Sequence, residues 1–337
     1  MRIPFSIVFG SIIALCIGCA ATPTPTAIPP TLSLATPTVS VSAEPTPTIH
    51  PTILDATLPE LAKRQYPGSE IKYVRVLAAT ETYTDSLVTY FSDGVKISGV
   101  LTEPARQGPF PGVVLAHGYY DPGQYMSGEA TEQIAHLLAE NDYVAFAPDY
   151  RGYGASEHGS NLYMSGYIAD VLNAGSALKT LPNVDAARVG LFGHSMGAGI
   201  AARAMVVSSV FQAIVLYSPI SADNAELLMD PLGGETVGVD TDIARSLFQS
   251  MNDENLFYAL SPKNYYDRVT APVSIHSGTA DDVTPTQWAE AIYRGLKKMG
   301  KPVEFFQYPG EKHVITGAQQ KAFDARVLSF LERNLKK

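Results

Sequence analysis

Gly193-His194-Ser195-Met196-Gly197 sets a serine between two glycines. The apolar run Val189-Gly-Leu-Phe192 precedes it, and small residues follow (Ala198, Gly199, Ala201, Ala202 and Ala204). This is the pattern of a strand that turns sharply into a helix with a hydroxyl held at the turn. The chemistry it could carry is nucleophilic attack on a carbonyl carbon. In so tight a turn a side chain at 193 or 197 would collide with neighbouring backbone, and glycine has no Cβ. The helix that follows offers its N-terminus, where negative charge is favoured. An ordinary glycine-rich turn reads the same way locally, so the remaining groups must come from elsewhere in the chain.

A serine hydroxyl is a poor nucleophile without a base, and the base needs an orienting acid. In strand–serine–helix units of this kind the acid and then the histidine follow the serine along the chain. Two histidines lie downstream. His276 falls inside Pro272-Val-Ser-Ile-His-Ser-Gly278, an apolar strand, and reads as a packed strand residue. His313 falls in Tyr308-Pro-Gly-Glu-Lys-His-Val314, a loop from which an imidazole can reach over a sheet edge. The acid should leave the preceding strand, as Gly278-Thr-Ala-Asp281-Asp282-Val-Thr-Pro285 does. Successive side chains point apart there. The reading favours Asp281, leaves Asp282 to stabilise the loop or cap a helix, and keeps Asp223 as a third candidate. An oxyanion needs backbone N–H donors. Those expected are Met196, directly after the nucleophile, and Tyr119, in the loop after Gly112-Val-Val-Leu-Ala-His-Gly118. His117 reads first as a structural residue fixing that loop, and second as a site residue.

Strand and helix signals alternate along the chain. Two antiparallel strands, 74–91 and 95–102, are expected around the Asp93-Gly94 turn. Strands then follow at 112–117, 143–148, 188–193, 213–218, 272–277 and 303–308. Helices are expected at about 124–141, 163–181, 196–208, 286–299 and 318–335. The expectation is an α/β fold with an eight-stranded, mostly parallel, doubly wound sheet. In such sheets ligands sit beyond the carboxyl ends of the strands, where every residue named above falls. The interval 219–271 is too long for a plain connection. It contains Ala225-Glu-Leu-Leu-Met229, Gly233-Gly234 and a helical-looking run at 241–251, and reads as a small lid. Asp149-Tyr-Arg-Gly-Tyr-Gly154 reads as a site-wall loop whose charged pair is structural.

The pieces Leu115-Ala-His-Gly118, Pro148-Asp-Tyr-Arg-Gly-Tyr-Gly-Ala-Ser156, Gly193-His-Ser-Met-Gly197, Ser261-Pro262 with Asn264-Tyr-Tyr266, and His276-Ser-Gly-Thr-Ala-Asp-Asp282 with Pro285 carry a resemblance. Over roughly residues 70–337 the chain resembles α/β-hydrolases of the prolyl oligopeptidase or dienelactone-hydrolase-like kind. The resemblance implies the α/β-hydrolase fold, Ser195 as nucleophile, Asp281 as acid, His313 as base, and an acyl-enzyme without a cofactor. Three departures limit what carries over. No room is seen for the large propeller of the prolyl oligopeptidases. Their elbow commonly has an aromatic residue or Asn before the serine, where His194 stands here. Dienelactone hydrolases use a cysteine nucleophile. The expected substrates are small carboxylic esters, with peptides second. An acyltransferase and a non-catalytic binding module are the rival classes.

Composition narrows the partners. The 337 residues are 46% hydrophobic and carry a net charge of −9. That balance suits a globular enzyme and argues against nucleic acid or anionic surfaces as partners. Arg2 and the apolar run 3–17 read as a secretory signal over 1–19, too short for a permanent span. Its end, Leu15-Cys-Ile-Gly-Cys19, resembles a bacterial lipobox in which Cys19 is lipidated, with Cys16 where Leu is usual. The expected address is the outer face of a bacterial cell membrane, with plain secretion as the alternative. Membrane contact is expected only through the lipid. The only two cysteines are Cys16 and Cys19, and no His-rich metal spacing appears, so no metal site, disulfide or cofactor is expected in the catalytic part. Residues 20–53 are Thr/Pro-rich, a stiff extended tether. The catalytic domain is expected over 54–337.

Overall fold

The computed structural model describes residues 53–229 and 254–336. Nine strands form one sheet: β1 (Lys72–Ala79), β2 (Tyr83–Ser92), β3 (Val95–Pro104), β4 (Phe110–Ala116), β5 (Val144–Pro148), β6 (Val184–His194), β7 (Ile214–Tyr217), β8 (Val273–Gly278) and β9 (Val303–Tyr308). Their order is β1-β2-β3-β5-β4-β6-β7-β8-β9. The first three strands and β5 pair antiparallel, and the rest of the sheet is parallel.

Among the described residues the expected count of eight strands is corrected to nine. The run read as one strand at 74–91 folds back at Thr80-Glu-Thr82. There the Thr80 hydroxyl accepts the N–H groups of Thr82 and Tyr83, and Thr80 N–H donates to Tyr83 O. A threonine hydroxyl makes this turn, so no glycine or proline marks it in the sequence. The new edge strand β1 is exposed along its whole length.

Helices cover both faces. The helices are α1 (Leu58–Leu61), α2 (Glu132–Glu140), α3 (Ser165–Leu178), α4 (Met196–Val207), α5 (Asn224–Met229), α6 (Glu254–Leu260), α7 (Thr286–Lys298) and α8 (Gly317–Leu335). Alternation along the strands feeds two cores. Val114, Leu191, Leu216 and Ile275 pack with α3, α4 and α7, while Val113, Leu115 and Val215 pack with α2 and α8. Every residue of α4 is buried. Its run of small side chains lets a helix sit flush on a sheet.

Two further expectations change. The helix read at 124–141 begins only at Glu132. Residues 121–131 instead run through turns that include Gly128, at φ +82, where a Cβ would come within 2.7 Å of Val100. In the lid interval, α5 and α6 are described, whereas Gly233-Gly234 and the run 241–251 lie outside the described residues. The expected signal, Cys19 and the expected tether up to residue 52 also lie outside them.

Candidate active site

The serine sits where β6 passes into α4. Ser195 holds φ 57 and ψ −122, a conformation that non-glycine residues adopt only when their surroundings enforce it. Here the enforcement is steric. A Cβ on Gly197 would lie 2.0 Å from Ala116 O, and one on Gly193 would lie 2.4 Å from Gly197 O. The backbone of α4 is thus pressed against β4, and the hydroxyl is left at the carboxyl edge of the sheet.

Two loops bring the partners. His313, after β9, places Nε2 2.9 Å from Ser195 Oγ. Its Nδ1 donates to Asp281 Oδ2 at 3.0 Å, and Asp281 leaves the end of β8. The carboxylate also accepts the N–H groups of Val283 and Thr284 at 2.9 Å on Oδ1, and the Thr284 hydroxyl at 2.9 Å on Oδ2. Burial pushes the Asp281 pKa up. The hydrogen bond and positive charge available from His313, with the two amides, outweigh burial and hold it below the usual carboxylate range. The His313 carbonyl faces the Ser218 hydroxyl at 3.2 Å and His194 Nε2 at 3.4 Å, and the Tyr217 hydroxyl accepts Ile315 N–H at 2.5 Å. The loop that carries the imidazole is therefore tied down on both sides.

The other candidates fall elsewhere. Asp282 is exposed and paired with Lys312 at 2.8 Å. Asp223 is paired with Lys263. His276 is buried within β8 between Ser274 Oγ and the Tyr308 hydroxyl, and burial pushes its pKa down to about 3.

Gly118 carries the second half of the site against the serine, since a Cβ there would meet Ser195 Cβ at 3.2 Å. The next residue is Tyr119. Neither its N–H nor that of Met196 finds an acceptor among the described residues. Both amides thus remain available near the hydroxyl, that of Met196 because the first turn of a helix has no intrahelical acceptor.

A buried layer supports this loop. His117 is stacked between Tyr125 and Tyr150, its nitrogens face the carbonyl oxygens of Gly118 and Asp149, and burial lowers its pKa to about 4. Tyr150 and Tyr153 donate to the carbonyls of His117 and Tyr120. The charged residues of the 149–154 loop are structural, but they do not pair with each other. Asp149 accepts the hydroxyls of Ser98, Ser127 and Tyr125, and Arg151 makes a buried bridge to Asp170 at 2.7 Å.

Thr284, Ser218, Tyr217 and His194 were not singled out from sequence as supports of Asp281 and His313. Only Thr284 carried a signal there, three residues after Asp281 as in a side-chain-capped turn.

The prolyl oligopeptidase family matches residues 129–337, more than half of the chain. The chain belongs to the prolyl oligopeptidase family. It is accordingly a serine hydrolase. Among its relatives is the uncharacterized peptidase YtmA of Bacillus subtilis (strain 168), 26% identical over 263 residues, which span 74% of this chain and 90% of that protein. YuxL, another uncharacterized peptidase of the same organism, is 26% identical over 264 residues, again 74% of this chain. The match spans only 38% of YuxL's length. Among solved structures, the acetyl xylan esterase from Paenibacillus sp. R4 shares the fold with a TM-score of 0.63 at 18% identity. That match covers 81% of this chain and 91% of the esterase.

Proposed function

We propose that this family member hydrolyses small carboxylic esters through an acyl-enzyme formed on Ser195. The observation that supports it is the single line of hydrogen bonds from Ser195 Oγ through His313 to Asp281, at 2.9 and 3.0 Å. His313 Nε2 takes the hydroxyl proton as Oγ bonds to the carbonyl carbon. The Tyr119 and Met196 amides receive the oxyanion. The bond from carbon to the leaving oxygen breaks, and that oxygen takes the proton from Nε2. Water repeats the sequence on the acyl-enzyme, releasing the acid and restoring Ser195. Asp281 keeps the proton of the resting imidazole on Nδ1 and offsets the charge of the imidazolium.

Esters rather than peptides are supported by the rim of the site. Tyr119 and Tyr120 are 43% and 40% exposed, and Val283 and Val314 are exposed beside the acid and the base. Among the described residues this rim is exposed, which suits small substrates arriving from solvent. Family membership supports a second reading, a peptidase. The test is a panel of p-nitrophenyl esters and aminoacyl-nitroanilides on wild type and Ser195→Ala. Esters should be turned over, and the variant should lose both turnover and fluorophosphonate labelling. Labelling that survives Ser195→Ala overturns the assignment, and turnover of nitroanilides alone overturns the ester reading. We further propose that a lipid on Cys19 holds the enzyme to the outer face of a bacterial membrane, the Thr/Pro-rich run 20–53 acting as a tether.

A further inference from the structure

A cavity of about 250 Å³ lies beside the triad. Three of its lining residues are chain neighbours of the reacting groups: His194 precedes Ser195, Val314 follows His313, and Tyr120 follows Tyr119. Its far walls come from α2 and α8. Tyr120, Tyr217 and Phe323 give it aromatic faces, and two carboxylates, Glu129 and Asp324, line it. Among the described residues no lysine or arginine lines it.

The carboxylates are held in place. Glu129 Oε1 accepts Met126 N–H at 2.9 Å, and Asp324 Oδ1 accepts Gln320 Nε2 at 2.7 Å. Burial raises the Asp324 pKa, against the hydrogen bond from Gln320. A cation arriving beside such a carboxylate relieves the cost of its charge. His194 brings no opposing charge near neutral pH, because burial and the neighbouring His313 lower its pKa to about 4.

The course of the reaction decides which half of the substrate meets this cavity. The proton that breaks the scissile bond comes from His313 Nε2, so the leaving group departs on the side of His313. The His194 ring, its centroid 4.9 Å from that of the His313 ring, and Val314 form the cavity wall nearest that base. We propose that the cavity receives the leaving group and selects one that carries a positive charge, such as an amino-alcohol or quaternary ammonium alcohol. Aromatic faces and carboxylates together are the environment that holds such a cation. The inference rests on the acyl-enzyme reading given above.

The test uses the full chain and two thioesters with the same acetyl group. One is acetylthiocholine; the other is its neutral isostere, in which a tert-butyl group replaces trimethylammonium. p-Nitrophenyl acetate serves as a common reference. Wild type should favour the charged thioester in kcat/KM by about tenfold, as expected for a partly desolvated cation–aromatic contact with carboxylates near. Asp324→Asn and Glu129→Gln should each lower that ratio, and the double variant should bring it close to one. A wild-type ratio near one, with p-nitrophenyl acetate still turned over, overturns the cavity assignment and leaves the catalytic reading standing. A high ratio that both variants leave intact places the cation elsewhere and also overturns it. Failure to turn over any of the three esters overturns both readings.

Discussion

Replacing Asp281 by asparagine separates the acid's electrical role from its structural one. Oδ1 receives the Val283 and Thr284 N–H groups, each at 2.9 Å, and only a carbonyl oxygen can accept them. In Asp281→Asn the amide must therefore point its oxygen at the backbone and its NH₂ at the position of Oδ2. That position is 3.0 Å from His313 Nδ1. The oxygen kept at Oδ1 also lies 3.1 Å from Nδ1 but already receives two backbone N–H groups, so a donor at Oδ2 favours an accepting Nδ1 and moves the imidazole proton to Nε2. Nε2–H then faces Ser195 Oγ across 2.9 Å and cannot take its proton. Thr284 loses its acceptor on the acid but can turn its hydroxyl to Ser218 O at 3.0 Å, so the loop keeps its shape. A wrong tautomer in a triad costs about 10⁴-fold in kcat, or about 5.5 kcal/mol at about 1.4 kcal/mol per decade. The assay is kcat/KM for p-nitrophenyl acetate with the fluorophosphonate labelling rate and a thermal melt. The expected result is a loss of about 10⁴-fold with the melt nearly unchanged. Asp282→Asn, in an exposed pair with Lys312, should leave turnover close to wild type. Activity within about tenfold of wild type in Asp281→Asn, or an equal loss in Asp223→Asn, refutes the reasoning.

Two other expectations concern the rest of the chain. His117 and His276 are buried, with pKa values pushed down to about 4 and about 3. Their folded values lie below the unfolded value of about 6.5, so the unfolded chain binds more protons as pH falls. Stability should be whole above about pH 6.5 and decline below it, by up to about 1.4 kcal/mol per pH unit for each histidine. Urea unfolding in a pH series should show the slope and His276→Gln should reduce it; a flat profile in wild type contradicts the assignment. Cys19→Ser should move the protein from the membrane fraction to the medium with hydrolase activity intact, and wild type already free in the medium argues against the anchor.

Legibility from sequence followed how local the physics was. The elbow could be read because steric demands on residues 193 and 197 leave only glycine, which is visible letter by letter. Asp281 and His313 could be proposed because both sit in polar loops that end apolar strands, and the structure brings both toward Ser195. The turn at Thr80 could not, since its signal is one hydroxyl bonding two amides within residues that otherwise read as a continuous strand. The start of α2 could not, because what stops it is the approach of Gly128 to Val100 on another strand. Ser218 and Tyr217 support the His313 loop across 95 and 98 residues of chain, a distance no local pattern reports. Asp149 and Arg151 read as partners because they are near in sequence, yet each is satisfied by residues from other elements.

The order of the sheet has a consequence in time. Ser195 follows a central strand, whereas His313, its proposed base, arrives on the loop after β9, an edge strand and the last of the described strands in chain order. A nascent chain can assemble the strands through β7 and bury the elbow while the serine still lacks His313. Until the segment bearing His313 has docked on Ser218 and Tyr217, the hydroxyl lacks its proposed base. On the proposed mechanism, reactivity toward a fluorophosphonate therefore dates the completion of this fold.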